Sequence, residues 1–260
     1  QSSDHPVLDV NYNQDQTKII SSSWDGSMKI HDIQSGKRLH YFDFGAQLGS
    51  AYNVLWSAND LYVFTSHGKF LKMWEVDTHA EVRNFVGHSE LISSLSLSAD
   101  GKILMSTGRD GSTRLWDIGT GLMIRKMVNE GATHAGIFSA DGKSIYTAGS
   151  DRLIRQWDIN TSKVLRVFEG HKSDISTLRL HPNGRMLISY SVDGSTKFWD
   201  LQSGKEFFEH IHFNQKYISL CLIQRRLWHK SKCGRRWDLN FLSFKSGLLV
   251  LDVCGCIFCL

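Results

Sequence analysis

Cysteine and proline are nearly absent from most of this chain, and both absences limit the fold classes that it can adopt. The 260 residues include five Cys, all of them after residue 220, and two Pro. Because no Cys precedes that point, no disulfide framework spans the fold, which favours a reducing compartment over a secreted protein. Few Pro and 22 Gly suit short strands that are joined by tight glycine turns.

An excess of charge of one sign is also lacking over most of the chain. Residues 1–217 carry 23 Lys/Arg against 24 Asp/Glu, whereas residues 218–260 carry seven against two. Residues 1–217 therefore lack the excess of positive charge that is typical of nucleic-acid-binding domains. Association with nucleic acid is expected only if the basic tail provides it.

The motifs that hold cofactors or metals are missing as well. The chain has no glycine-rich phosphate loop, no zinc-protease helix and no pair of Cys-x-x-Cys motifs. The segment CGCIFC at 254–259 has thiols, but a metal site needs four well-placed ligands and a supporting fold. Lys245 and Asp252 interrupt the terminal apolar run, and what remains is too short to span a membrane. The sequence predicts no cofactor, no metal, no small-molecule substrate and no membrane segment.

The chain instead contains a sequence motif that recurs at a nearly constant interval. RDGSTRLWDIGTG at 109–121 indicates an Asp-Gly turn, a short strand that ends in Trp-Asp, and a second turn. Similar motifs begin at Asp25, Gly68, Asp151 and Asp193. The residues at the Trp position of the five motifs are His31, Trp74, Trp116, Trp157 and Trp199. They are separated by 43, 42, 41 and 42 residues. Such a period indicates a repeat architecture.

Each repeat has the same internal plan of four short strands. Runs that alternate apolar and polar residues, such as LISSLSLSADG and ISTLRLHPNG, predict strands. Steps such as Asp-Gly and Asn-Gly predict the turns between them. A single four-stranded unit has two open edges and little core, so the units must stack against one another.

The repeats resemble the WD-repeat family. Gly87-His88 and Gly170-His171 each place a His 28 residues before a Trp, with an Asp-Gly step between. The resemblance covers residues 5–209 as five consecutive units and implies an all-β protein, a β-propeller of four-stranded blades. We expect residues 1–217 to form blades one to five. Residues 218–260 form either a degenerate sixth blade or a divergent tail.

In this family a His, a Ser or Thr, an Asp and the Trp of one repeat form a hydrogen-bonded set inside the blade. The resemblance implies one complete set, made by His171, Ser191, Asp193 and Trp199. A second set is expected to be incomplete, because Gly108 stands where the Ser would be; its members are His88, Asp110 and Trp116. Partial sets are expected at Asp151 with Trp157, and at Asp25.

A group of Ser, His and Asp also suits nucleophilic catalysis, so two interpretations compete. A nucleophile needs exposure and an oxyanion site, and a catalytic site occurs once rather than in decaying copies. The repetition favours a structural role, in which an imidazole and backbone amides satisfy a buried carboxylate. We therefore predict that these residues are not catalytic.

The resemblance implies that partners bind at the turns between the second and third strands, near the central channel. The residues expected there are Trp24, His67, Arg109, Ser150, Val192 and Tyr190. Trp, Tyr and Arg are enriched in interface hot spots. Because Arg does not cluster among them, a phosphopeptide pocket is disfavoured, and a peptide or loop with an apolar anchor is the expected partner.

The last part of the chain breaks the period. Trp237 follows Trp199 by only 38 residues, acidic residues nearly vanish, and Cys accumulates. Three explanations stay open: a degenerate closing blade over about residues 210–244, a divergent splice ending or translated intron, and the least favoured, a membrane segment. The start at Gln1 and the few units also predict a piece of a longer chain, since an open propeller would expose its sheet edges.

The expected function is a non-catalytic scaffold. It would present a propeller face to partner proteins in a multiprotein complex inside the cell, in the cytoplasm or the nucleus. Two alternatives stay open: a hydrolase or oxidoreductase built on a propeller, and nucleic-acid association through the basic tail, which predicts steep salt dependence. The sequence leaves the partner and the oligomeric state undetermined.

Overall fold

The described residues fold almost entirely into antiparallel β-sheets. The structure is a computed structural model that describes residues 5–211, 242–243 and 249–250. The chain separates into two units, residues 1–216 and residues 217–260. Most of the predicted sixth unit, the basic tail and all five Cys lie outside the described residues.

Five four-stranded sheets follow one another in the first unit, each with its strands side by side in chain order. The first sheet contains β1 (Val7–Tyr12), β2 (Lys18–Ser23), β3 (Ser27–Asp32) and β4 (Arg38–Asp43). The helix α1 (Gly45–Leu48) leads to the second, which contains β5 (Asn53–Trp56), β6 (Tyr62–His67), β7 (Phe70–Glu75) and β8 (Glu81–Phe85). The third contains β9 (Ile92–Leu97), β10 (Ile103–Gly108), β11 (Ser112–Asp117) and β12 (Met123–Val128).

The last two sheets of this unit repeat the same plan. The fourth contains β13 (Thr133–Phe138), β14 (Ser144–Gly149), β15 (Ile154–Asp158) and β16 (Val164–Phe168), and the fifth contains β17 (Ile175–Leu180), β18 (Met186–Ser191), β19 (Ser195–Asp200) and β20 (Glu206–Ile211). In the second unit, β21 (Leu242–Ser243) pairs with β22 (Leu249–Val250). The predicted fold class is confirmed, because five four-stranded antiparallel sheets are the blades of a propeller.

Hydrophobic clusters join consecutive sheets. Between the second and third sheets, Phe64, Leu71 and Phe85 pack with Leu104 and Trp116. Equivalent clusters join the first sheet to the second, the third to the fourth, and the fourth to the fifth. The second strand is buried at every position in the fourth and fifth sheets, and at every position after the first in the second and third sheets.

One face of the first sheet is different, because the described residues leave it uncovered. Val10 of β1 pairs with Ser21, just as Leu178 of β17 pairs with Ser189. Val10 is nevertheless 45% exposed, whereas Leu178 is 0% exposed. Tyr12 and Ile33 on the same sheet are also exposed. In the described part of the chain, no core cluster joins the fifth sheet to the first.

The turn between the second and third strands of each sheet requires a left-handed residue. Gly26 and Gly111 adopt φ values of 80° and 73°, and a Cβ on either would lie within 3 Å of a backbone oxygen. The fourth sheet has Arg152 at this place, with φ 65°. A side chain costs free energy in this conformation, so the fourth turn carries strain that the others avoid.

Candidate functional site

A hydrogen-bonded network lies inside the third sheet. Ser106 Oγ lies 2.8 Å from His88 Nε2 and accepts from Trp116 Nε1 at 2.9 Å. His88 Nδ1 lies 2.9 Å from Asp110 Oδ2. Because a carboxylate only accepts, Nδ1 donates to Asp110 and Nε2 accepts from the Ser106 hydroxyl. The network ties the loop before β9, the turn after β10 and the core Trp into one unit.

Three of the residues predicted for this network lie in contact, and the Ser comes from a different position than expected. His88, Asp110 and Trp116 do meet, but the sequence prediction placed the missing Ser at Gly108. The structure shows that Ser106, two residues earlier, completes the set. Gly108 lies against the imidazole, since a Cβ there would come within 2.7 Å of His88 Nδ1.

The fifth sheet corrects the prediction in the same way. Ser189, and not Ser191, bridges His171 Nε2 at 2.6 Å and Trp199 Nε1 at 2.8 Å. Asp193 makes no direct bond to His171. Instead, His171 Nδ1 lies 3.1 Å from Ser195 Oγ, and Asp193 Oδ1 accepts from the Ser195 backbone N–H at 2.9 Å. The set is therefore complete but uses Ser195 as an intermediate.

In the second and fourth sheets the Trp indole also donates to a hydroxyl, but no His precedes the first strand in the place of His88 or His171. Trp74 and Trp157 donate to Thr65 and Thr147, each at 2.8 Å. In the second sheet the imidazole comes from His67, whose Nε2 lies 3.0 Å from Thr65 Oγ1.

The remaining Asp residues act within their own turns. Asp151 in the fourth sheet forms an ion pair with Arg155. Asp25 in the first sheet accepts from the Ser27 backbone N–H at 2.8 Å.

Electrostatics keeps these imidazoles neutral and the Asp ionised. Burial lowers the pKa of His67 and of His171 to about 4, and burial also lowers the pKa of His88 although Asp110 opposes that shift. Burial works against the charge of Asp110, but hydrogen bonds from Ser112 and Ser89 lower its pKa to about 2. Ser106 is fully buried and engaged by both neighbours, so a substrate has no access to its hydroxyl in this fold.

The Asp that follows the Trp has a separate structural role. Asp117 Oδ1 accepts from the backbone N–H and the hydroxyl of Thr120, each at 2.7 Å. The same pair of bonds recurs at Asp32 and Asp158. In each case the carboxylate closes the turn between the third and fourth strands, an arrangement that Asp favours in turns.

The turns between the second and third strands, which we call the upper turns, comprise residues 24–26, 68–69, 109–111, 150–153 and 192–194. Three predicted binding residues are exposed there: Trp24 is 53% exposed, Val192 is 66% exposed, and Arg109 is also exposed. Ser150 is half-buried. His67 and Tyr190 lie within β6 and β18 and are buried, so the structure places these two away from the surface.

Trp24 is held by a neighbour that the sequence did not suggest. Ser50 Oγ donates to the Trp24 carbonyl at 2.9 Å, and the Tyr52 ring meets the indole edge-on at a centroid distance of 6.2 Å. His67 Nδ1 lies 3.3 Å from the Gly49 carbonyl. The buried His67 therefore supports the loop that carries Ser50, and Ser50 in turn holds the backbone of the turn at Trp24.

A family model described as "WD domain, G-beta repeat" matches residues 1–32, 80–117, 131–158 and 162–200, together more than half of the chain. The chain belongs to the WD40 repeat family. Members of this family use the same fold for different tasks, so the family by itself does not select a partner.

Several curated proteins are similar to this WD40 chain. It is 32% identical to nuclear distribution protein PAC1 of Arthroderma otae over 57% of this chain and 38% of that protein. It is 30% identical to the U3 small nucleolar RNA-associated protein 21 homolog of Schizosaccharomyces pombe over 46% of this chain and 13% of that protein. It is 22% identical to nuclear distribution protein nudF of Aspergillus niger over 82% of this chain and 54% of that protein. The aligned part is well under two thirds of each relative's length.

No group of three His, Cys, Asp or Glu side chains among the described residues is arranged to hold a metal ion. No helix within residues 5–211 is long and apolar enough to cross a membrane.

Proposed function

We propose that this WD40 chain is a non-catalytic scaffold that binds partner proteins through its upper turns. The observation that carries the proposal is the exposure of Trp24, Arg109 and Val192 on turns between buried strands. Binding residues are commonly loop residues held by a rigid scaffold. The exposed Trp on the turn of the first sheet and the exposed Arg on the turn of the third sheet are residue types that dominate interface energies.

The support beneath Trp24 strengthens this proposal. An exposed indole that is free to rotate loses entropy when a partner binds. The Trp24 indole contacts the Tyr52 ring, its backbone carbonyl accepts from Ser50 Oγ, and His67 contacts the carbonyl of Gly49 in the loop that carries Ser50. In this role His67 positions the surface residue and does not itself contact the partner. Tyr190 is buried and is left out of the proposed contact surface.

The cellular setting is also a proposal. Two of the relatives are named as nuclear distribution proteins and one as a U3 small nucleolar RNA-associated protein. These names support work in the cytoplasm or the nucleus and membership of a multiprotein complex. We infer that residues 1–217 carry the scaffold function and that residues 218–260 are separate from it.

A pull-down tests the proposed surface. The full chain and the variant Trp24→Ala/Arg109→Ala/Val192→Ala are each used to capture proteins from a cell lysate, and the captured proteins are quantified by mass spectrometry. The matched control is Leu61→Ala/Leu122→Ala/Lys163→Ala, three exposed residues at the opposite ends of the sheets. We expect the first variant to lose partners that the wild type and the control keep.

The outcome that contradicts the proposal is equally definite. If the upper-turn variant keeps every partner while its thermal unfolding matches that of the wild type, the upper turns are not the binding surface. If the control loses the same partners as the upper-turn variant, binding does not depend on which end of the sheets is altered.

A further inference from the structure

Two histidines face each other across the boundary between the first and second sheets. His40 lies on β4, the edge strand of the first sheet, and His79 lies in the turn between β7 and β8 of the second. His40 Nδ1 lies 3.2 Å from His79 Nε2. His79 is exposed and His40 is half-buried, so small solutes can reach the pair from the surface.

The position of His40 is held by a different residue type in the next three sheets. His40 pairs with the residue before the Trp position of its sheet, and the residues with the same pairing in the second, third and fourth sheets are Arg83, Arg125 and Arg166. Arg83 lies against Gly121 of the third sheet, and Arg166 donates to the Leu201 carbonyl of the fifth at 2.7 Å. An Arg therefore links these sheets at the place where the first sheet has an imidazole.

His79 also differs from the residues at its equivalent positions. In every sheet the N–H of this turn residue donates to the carbonyl four residues earlier, and its φ is positive. The residues at this place in the other sheets are Gly36, Gly121, Ser162 and Gly204. His79 has φ 61°, which costs free energy for a residue with a side chain. Residues strained in this way are concentrated at functional sites, and here the strained residue is the one that meets His40.

The separation of the two ring nitrogens suits a metal ion. A bond between zinc and an imidazole nitrogen is about 2.0–2.1 Å long, and two such bonds at a tetrahedral angle hold their nitrogens about 3.3 Å apart. The observed separation of 3.2 Å is close to this value. A hydrogen bond between the rings has a similar length, but water competes for it at an accessible position, so it would offset little of the cost of a left-handed His79.

Neighbouring groups restrain the rings and favour a cation. Phe42 packs against the His79 ring at a centroid distance of 4.2 Å, and the rings of His40 and His79 meet edge-on with an interplanar angle of 73°. Asp77 and Lys18 both act on His40 electrostatically, in opposite directions, and Asp77 has the larger effect. The local field therefore supports positive charge at the pair.

We propose that His40 Nδ1 and His79 Nε2 bind a Zn²⁺ ion, which links the first sheet to the second where an Arg links the sheets that follow. Imidazole suits borderline divalent ions such as Zn²⁺, whereas Mg²⁺ and Ca²⁺ prefer oxygen ligands. In the bound state the ring protons lie on His40 Nε2 and His79 Nδ1. Water completes the coordination, because no third His, Cys, Asp or Glu from the described part of the chain joins the pair.

This site is separate from the proposed scaffold surface and from the sequence motifs of metal sites. The two His are 39 residues apart in the chain and meet only because the first two sheets pack together. Neither residue belongs to the upper turns. The site can therefore be tested without altering Trp24, Arg109 or Val192.

The test is a titration of the full chain with Zn²⁺, followed by NMR of the His ring nitrogens. The five Cys are alkylated beforehand, because thiolates also bind Zn²⁺. His40→Asn and His79→Gly identify the two signals, and the second change restores the residue that three other sheets have at this place. We expect both signals to shift together in a saturable manner, and Mg²⁺ at the same concentrations to leave them unchanged.

The variants decide whether the ion lies between the two sheets. In His40→Asn and in His79→Gly the remaining His should need at least about tenfold more Zn²⁺ for the same shift, because one ligand is lost. His134→Asn is the control, since His134 lies 3.7 Å from the Asp174 carboxylate at a different place, and it should bind Zn²⁺ as the wild type does. Zn²⁺ should also raise the Tm of the wild type and of this control, but not that of either site variant.

Three outcomes overturn the proposal. The signals of His40 and His79 do not move, they move only at Zn²⁺ concentrations that also shift the His134 signal, or His79→Gly binds as well as the wild type. The pair would then be a hydrogen bond between two sheets and no more. None of these outcomes bears on the upper turns, because the titration and the pull-down alter different residues.

Discussion

His88 and Asp110 form a direct contact of 2.9 Å in the third sheet, whereas the equivalent pair, His171 and Asp193, is bridged by Ser195 in the fifth. Both arrangements satisfy the imidazole and the carboxylate, and both leave the Trp indole bonded to a Ser. The constant element is therefore the hydroxyl between the imidazole and the indole. The position of the Asp varies from sheet to sheet.

That hydroxyl gives the first prediction. Ser106→Ala should lower the free energy of unfolding by about 1–3 kcal/mol, because His88 Nε2 and Trp116 Nε1 both lose their partner. Urea unfolding followed by Trp fluorescence measures the change. The control is Ser93→Ala, since the Ser93 hydroxyl is buried without a partner and its loss should cost little. Equal costs for the two variants would contradict the role of the network.

A second prediction concerns pH. His67 and His171 have a pKa of about 4 in the fold against 6.5 for the free side chain, so between these values the unfolded chain binds more protons than the folded one. Stability is therefore fully present above pH 6.5 and is lost as pH falls towards 4, by on the order of 3 kcal/mol for each group.

Urea unfolding at pH 7 and at about pH 5 tests this dependence. The double variant His67→Asn/His171→Asn should lose less stability over this interval than the wild type. His5→Asn, at an exposed position, serves as the control and should follow the wild type. A double variant that loses as much stability as the wild type would show that other groups cause the dependence.

The strained turn of the fourth sheet gives a third prediction. Arg152→Gly should raise the free energy of unfolding by up to about 1 kcal/mol, because Gly adopts a positive φ without the steric cost of a side chain. The reverse change, Gly111→Arg, should be destabilising, since its Cβ would lie 2.9 Å from the Gly131 carbonyl oxygen. Thermal unfolding compares the two. A loss of stability in Arg152→Gly would mean that the Arg side chain contributes more than the strain costs.

The uncovered face of the first sheet gives a fourth prediction. Leu178→Asp should destabilise the protein severely or prevent folding, because it buries an unpaired carboxylate between two sheets. Val10→Asp, at the equivalent but exposed position, should change the free energy of unfolding by less than about 1 kcal/mol. Urea unfolding of both variants is the measurement. Equal damage from both would show that a further element covers Val10 in solution.

Much of the fold could be predicted from the sequence because its signals are local. The interval between the Trp residues, the period-two alternation and the Asp-Gly steps are all contained within one repeat, and they predicted the five sheets that the structure shows. The location of the bridging hydroxyl could not be predicted in this way. Ser189 and Ser191 share a face of β18 but are separated by about 7 Å along the strand, so only the packed loop that carries His171 decides which one it meets.

The repeat, the strand order and the turns at Asp117 and Asp158 were determined by the sequence alone, since each depends on residues close together in the chain. Tertiary structure decided what depends on the neighbouring sheet. His67 and Tyr190 were predicted at the surface with the exposed residues, but both side chains are buried in the folded protein. The contact between His40 and His79 arises in the same way, because the two residues come from different sheets and no single repeat encodes the distance between them.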